Sequence, residues 1–239
     1  MSPLHYRIAP EVFEAHPGCC RGVLVFDQLD NSGDGAALLP LLRAAEQQVR
    51  DTVAGNVADH PRIAAWREAY RRFGAKPSEH RSSIEAMVRR VLQPGEIPSI
   101  NPLVNIGNIV SLRHLLPAGV HPLGPGDASL ELRTALPQDV FLPADGKPAE
   151  SPPAGEIVFA AEHTVLTRRW TWRQAQGTQT LPETTRVFFN IDGLPPVSGD
   201  QVLAAMEDAS ALVLAHCCGV RVVSARLDAA QPQLATDLP

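Results

Sequence analysis

Aromatic residues are scarce in this sequence, only 5% of its 239 positions, so any core must be packed mainly from Leu, Val, Ile and Ala. Long apolar runs are missing as well. No stretch approaches the roughly 18 uninterrupted apolar residues of a membrane-spanning helix, and the start, MSPLHYRIAPEVF, lacks the basic-then-apolar order of a secretory signal. Both absences predict a soluble, cytoplasmic protein without membrane contact. The common catalytic signatures are also missing: there is no GxSxG elbow, no P-loop, no HExxH and no GxGxxG. The glycines of NSGDGA and LGPGD have neither the spacing nor the strand-to-helix context of a phosphate cradle. The eight histidines are scattered with no pair at metal-ligand spacing, and His163 and His216 read as surface or packing residues. No metal and no cofactor is predicted.

Cysteine is scarcer still. The four residues come as two adjacent pairs, Cys19–Cys20 and Cys217–Cys218, which fit neither CxxC zinc spacing nor a disulfide framework. They read as free thiols of a reducing compartment, or as two vicinal pairs converging on a metal.

The formal net charge is −5, with a pI near 5.9, which argues against a non-specific nucleic-acid binder and against DNA as a partner. Positive charge is concentrated locally. From Arg67 to Arg90 there are seven Arg or Lys against Glu68, Glu79 and Glu85. A second basic cluster, Arg168, Arg169 and Arg173, is interleaved with Trp170 and Trp172.

Hydrophobic patterning gives a mixed order of elements. GVLVF (22–26) reads as a buried strand, residues 36–54 as a helix, and Pro61 opens a helix whose Ile63, Trp66, Tyr70 and Phe73 form a core stripe. Ser82 to Glu85 fits a capping box for the next helix, on which Arg81, Glu85 and Arg89 suit a solvent-side charge ladder. Strands are predicted over 128–135, over two runs within 156–172 turning near Glu162–His163, over 186–194 and over 219–227. An exposed loop is predicted over 137–153. A capping box at Ser198 and Gln201 opens a long helix with Val202, Ala205, Met206, Ala209, Leu212 and Val213 inward. Residues 1–227 form one domain in this reading and the polar tail, 228–239, is disordered. The elements do not alternate as βαβ units, so the class is α+β, with mixed sheets and packed helices.

The segment INPLVNIGNIVSL (100–112) holds the sharpest signal. At about 100° per residue, Leu103, Ile106 and Val110 share one side of a helix, and Asn101, Asn105 and Asn108 share the other. Asn101 before Pro102 is a helix start. Asn105 and Asn108 lie inside the helix, where they either satisfy nearby backbone or line a polar cavity, with Ser111 at the edge of the same face. The Arg168–Arg173 cluster divides the same way: guanidinium groups and indoles can hold phosphate and stack a base, or the two Trp can share a strand face and plug a core.

The segment RRFGAKPSEHRSSIEAMVRRVL…IPSINPLVNIGNIVSLRHLLPAG resembles the B3/B4 domain of the β subunit of bacterial phenylalanyl-tRNA synthetase. It is more similar still to free-standing B3/B4 proteins, which share FGxKPSExRSSxEA, NPLVxxxNxxSL and LTRRWxWRQ. The resemblance spans roughly residues 60 to 220. It implies an α+β fold around a central pocket and, as in the synthetase, hydrolysis of the ester of mischarged tRNA. VNIGNIVSL resembles the motif VDxTNYVML, placing Asn105 at its Asp and Asn108 at its Asn. Where the synthetase has PLHAFD this chain has Pro117-Ala118-Gly119-Val120-His121. Gly119 thus stands at the His position, and His121 is expected to face another way. The glycine-rich GxMGG segment is absent, with RRWTWRQ in about that part of the chain.

The resemblance therefore implies an editing hydrolase acting in trans on misacylated tRNA, or a non-catalytic module that binds tRNA or an amino acid. Asn105, Asn108 and Glu131 are the candidate catalytic residues. Asn101, Ser111, Arg81, Arg168, Arg169, Trp170, Trp172 and Arg173 are the candidate substrate-binding residues, and the partners implied are the aminoacylated 3′ end of tRNA and a small amino acid.

Overall fold

The computed structural model describes residues 3–124 and 129–237. Two sheets lie against each other and helices cover the outer face of one of them. The first sheet has six strands in the order β10-β1-β4-β5-β6-β7, formed by β1 (Leu4–Ile8), β4 (Ser129–Thr134), β5 (Ile157–Ala161), β6 (Thr164–Arg168), β7 (Arg173–Gln174) and β10 (Gln233–Thr236). The second has the order β3-β8-β2-β9, with β2 (Cys20–Leu29), β3 (Ala118–Pro122), β8 (Val187–Gly193) and β9 (Cys218–Leu227), all antiparallel. The pair β1–β4 is parallel, so the class is α+β with mixed sheets.

Strand β2 is buried on both faces over most of its length, which explains its near-continuous apolar sequence. Helix α6 (Gly199–His216) crosses one face of it so closely that a Cβ on Gly22 would lie 2.5 Å from the Met206 sulfur. The capping box at Ser198 and Gln201 starts α6, and the six predicted inward residues are all buried. Helix α5 (Pro102–His114) packs against α6, β3 and α2 (Leu39–Thr52), and it is buried on nearly every side. The stripe on α3 (Pro61–Arg72) is core as predicted, with Trp66 and Tyr70 fully buried and Phe73 packed against them in part. Full burial of such a side chain contributes about 1.5–3 kcal/mol. Facing the other side of the second sheet, Tyr6 and Phe159 of the first sheet meet Phe188, with ring centroids 5.4–6.3 Å apart.

Four expectations are corrected. The tail is not wholly disordered: β10 pairs antiparallel with β1, Leu4 opposite Thr236, and so covers the edge of β1 that β4 leaves open. Glu85, on α4 (Ser83–Val91), is not on a solvent face. It is fully buried between Arg67 of α3 at 2.7 Å and Arg89 at 2.9 Å. Trp170 and Trp172 do not share a strand face, because β6 ends at Arg168 and the chain turns through left-handed Arg169 and Trp170 (φ 47° and 60°). The cysteine pairs do not converge. Cys20 begins β2 and Cys218 sits opposite Leu29 at its far end, a separation of roughly 30 Å along a ten-residue strand. Position 128 of the predicted 128–135 strand lies outside the described residues, as does most of LGPGD.

Candidate functional site

A cavity of about 210 Å³ opens between the two sheets, at the edge where α4 and α5 approach β3. Strand alternation builds its inner wall. Gly119 and His121 of β3, and Asn190 and Asp192 of β8, project from the same face of the second sheet, with Gly119 opposite Asn190 and His121 opposite Phe188. Arg21 of β2 pairs in register with Asp192. The first sheet supplies Phe159 and Thr167, and the turn after β6 supplies Trp170 and Trp172.

A buried ion pair anchors this wall. Arg21 Nε and Nη2 donate to the two carboxylate oxygens of Asp192 at 2.7 and 2.9 Å, and Trp170 Nε1 donates to Asp192 at 3.1 Å. Arg21 Nη1 also donates to the Tyr6 hydroxyl, which in turn donates a hydrogen bond to Asn190 Oδ1 at 2.6 Å. This chain fixes the Asn190 amide with Oδ1 consumed, and Nδ2 makes no hydrogen bond among the described residues. The pair raises the Arg21 pKa further above its usual value, despite the opposing effect of its burial, and burial raises that of Tyr6. Asp192 is the single carboxylate among the described residues that line the cavity, and its oxygens are occupied.

His121 lies beside the pair, stacked on Phe188 at 5.0 Å and 3% exposed. Its Nε2 is 3.0 Å from Thr167 Oγ1 and 3.2 Å from Gln174 Nε2. The Gln174 amide nitrogen also donates to the Val120 carbonyl at 3.0 Å, so it can offer His121 only a hydrogen. Nε2 is therefore the acceptor, and the neutral ring carries its proton on Nδ1. Burial, and then the charge of Arg21, push the His121 pKa down to about 3. Nδ1 is buried and has no partner.

Of the residues singled out in the sequence, Asn108, Trp170, Trp172 and Arg173 meet around this cavity. Asn108 is half-buried on α5, and its amide makes no hydrogen bond among the described residues. Trp170 is buried, with Trp66 and His16 edge-on at 5.1 Å, so no base can stack on it. Trp172 is half-buried, with the guanidinium groups of Arg169 and Arg173 over its ring at 4.3 and 4.7 Å and His80 edge-on at 4.8 Å. Arg173 is exposed and pairs with Asp145 at 3.3 Å.

The others do other work. Asn105 is fully buried and structural: its amide holds the segment before α5 by donating to Ser99 Oγ at 2.7 Å and the Gly35 carbonyl, and by accepting from Ile100 N–H. Asn101 caps α5 through Val104 N–H and donates to the Thr180 carbonyl. Ser111 Oγ accepts from Ala118 N–H and ties α5 to β3. Glu131 is away from the cavity, ion-paired with Arg7 and Arg133 on the first sheet. Arg168 is buried and clamped by Glu156, with Glu150 beside it. Arg169 lies 3.5 Å from Glu156. Arg81 is exposed without an ion pair among the described residues, one position before the α4 cap Ser82.

Asn190, Asp192 and Arg21 were not singled out in the sequence, and His121 was expected outside the site. The expectation that His121 faces away from Gly119 is corrected, because residues two apart on a strand face the same side. A legible signal for the others was VFFNIDG, whose Asn190 and Asp192 place two polar groups on one face of an otherwise apolar strand.

A family model described as the B3/4 domain matches residues 65–218. The chain belongs to the B3/4 domain family. Of the cavity residues named above, all but Arg21 fall within that B3/4 span. No curated protein matches the chain in sequence. Among solved structures, the chain is similar to an N-terminal fragment of the phenylalanyl-tRNA synthetase β-subunit from Pyrococcus horikoshii, at 10% identity and a TM-score of 0.47. The match covers 93% of this chain and 54% of that one, so the chain spans about half its length. No helix among the described residues is long and apolar enough to cross a membrane.

Proposed function

We propose that this B3/4 protein is a trans-editing hydrolase that takes the aminoacyl group of a mischarged tRNA into the cavity between its sheets and cleaves the ester. One observation carries the reading: an amino-acid-sized cavity within the B3/4 region, whose free polar groups include the uncharged hydrogen-bonding amides of Asn108 and Asn190. An aminoacyl ester is intrinsically labile, so a site that orients one water and the ester supplies much of what hydrolysis needs. No Ser-His-Asp set is required. The half-buried Asn108 meets the ammonium or the attacking water, while Trp172, Arg173 and the unpaired Arg81 meet the terminal nucleotides.

The occupied carboxylate of Asp192 favours a second reading, a module that binds an aminoacyl end or an amino acid without catalysis. A panel of correctly charged and mischarged tRNAs separates the two. Selective hydrolysis of one mischarged species supports editing. Saturable binding with no hydrolysis across the panel supports the module.

A further inference from the structure

The three uncommitted features of the inner wall lie together. Gly119 is directly opposite Asn190, and His121 is two residues along the same face. Asn190 presents Nδ2, because Tyr6 holds its oxygen; His121 carries its proton on Nδ1, because Gln174 faces its other nitrogen, and that N–H is covered by protein atoms without a partner. Diagonal neighbours on a strand pair are about 7–8 Å apart at Cα, with side chains closer, so one oxygen atom that displaces the atoms covering Nδ1 meets both donors. Gly119 lets the imidazole lie close over the strand: a Cβ there would stand 3.2 Å from His121 Cε1, a tight contact, and 3.8 Å from Nδ1.

Resting on the editing reading above, we infer that His121 Nδ1–H and Asn190 Nδ2 form a two-donor cradle over Gly119 for the carbonyl oxygen of the bound ester. Water adds to the carbonyl carbon, and the π electron pair moves onto the oxygen held in the cradle. The intermediate then collapses, breaking the bond to the ribose oxygen, which takes the proton lost by the water; the products are the amino acid and the free ribose hydroxyl. His121 stays neutral throughout and acts as a donor, not as a base. The charged groups facing it are Arg21 from β2 and Asp192 from β8, neutralised by each other and joined to Tyr6 of β1. From β5, β6 and β7 it meets Phe159, Thr167 and Gln174, none of which titrates.

The test combines turnover with a spectrum of the wild-type protein. Nitrogen-15 NMR of its histidines shows His121 as the neutral Nδ1–H tautomer from pH 5.5 to 8. His121→Asn, whose amide nitrogen replaces Nδ1, keeps deacylation within about 5-fold, whereas His121→Leu loses about 100-fold, the usual cost of one such donor. Wild-type turnover in His121→Leu, an Nε2–H tautomer, or protonation of His121 within that range overturns the cradle. If the wild-type chain hydrolyses no ester, the editing reading fails separately. The cradle is then decided by adding an amide-linked aminoacyl-adenosine: a shifted Nδ1–H signal keeps it and an unmoved one removes it.

Discussion

Asn105 and Asn108 stand three residues apart on one helix, yet their amides are spent differently. Asn105 closes three hydrogen bonds in a buried place, so Asn105→Leu strands Ile100 N–H, leaves the Gly35 carbonyl with Leu38 N–H alone, and should cost about 2–4 kcal/mol, mainly from the lost bonds; thermal unfolding measures this. Asn108 makes no such bonds, so Asn108→Ala should leave the melting temperature within a few degrees while lowering deacylation at least about 10-fold. Unchanged turnover removes Asn108 from the site. The Arg21–Asp192 pair is a third case. Arg21→Met leaves a buried carboxylate without its partner and should destabilise the fold by about 3–5 kcal/mol, visible as a lower denaturation midpoint in urea.

At the scale of elements, strand β3 shows what a pleat does to a motif. Gly119 and His121 look like displaced neighbours in sequence, but period-two alternation returns both to one face. Gly119→Val should therefore fold, with its backbone in an ordinary conformation, yet lose at least about 10-fold in deacylation, because its methyl groups occupy the space before His121; a steady-state rate measurement checks it. The stripe of α3 and the inward face of α6 were legible because periodicity over three or more turns has few competing explanations. The turn at Arg169–Trp170 was not, since neither residue favours a positive φ and its conformation comes from tertiary contacts such as Trp170 with Asp192. Alternation alone could not assign the sheet partners of β1, because β4 and β10 both lie far from it in sequence. The cavity itself belongs to two sheets and two helices, so no single segment announces it.

For the whole molecule, the buried imidazoles set the acid response. His121 and His16 have pKa values pushed down by burial to about 3 and about 4, and His60 and His80 are lowered for the same first reason. Between these values and the unfolded value near 6.5, the unfolded chain binds protons that the folded chain does not. Stability is thus fully present above about pH 6.5 and falls as the pH drops towards 4, by up to about 1.4 kcal/mol per pH unit for the fully buried His121 and by less for the more exposed imidazoles, which solvent screens. Melting temperatures at pH 7, 6 and 5 should decline in order, and a flat profile contradicts the buried neutral state. Binding of tRNA should depend on local rather than net charge, so Arg81→Ala should lower the salt slope of affinity by about one. The account as a whole rests on the aminoacyl end entering the cavity. The most direct measurement is a crystal structure with an amide-linked aminoacyl-adenosine, which cannot be hydrolysed. The account predicts the aminoacyl group between Asn108 and Gly119 with its carbonyl towards His121 and Asn190; an empty cavity with the ligand bound elsewhere would contradict it.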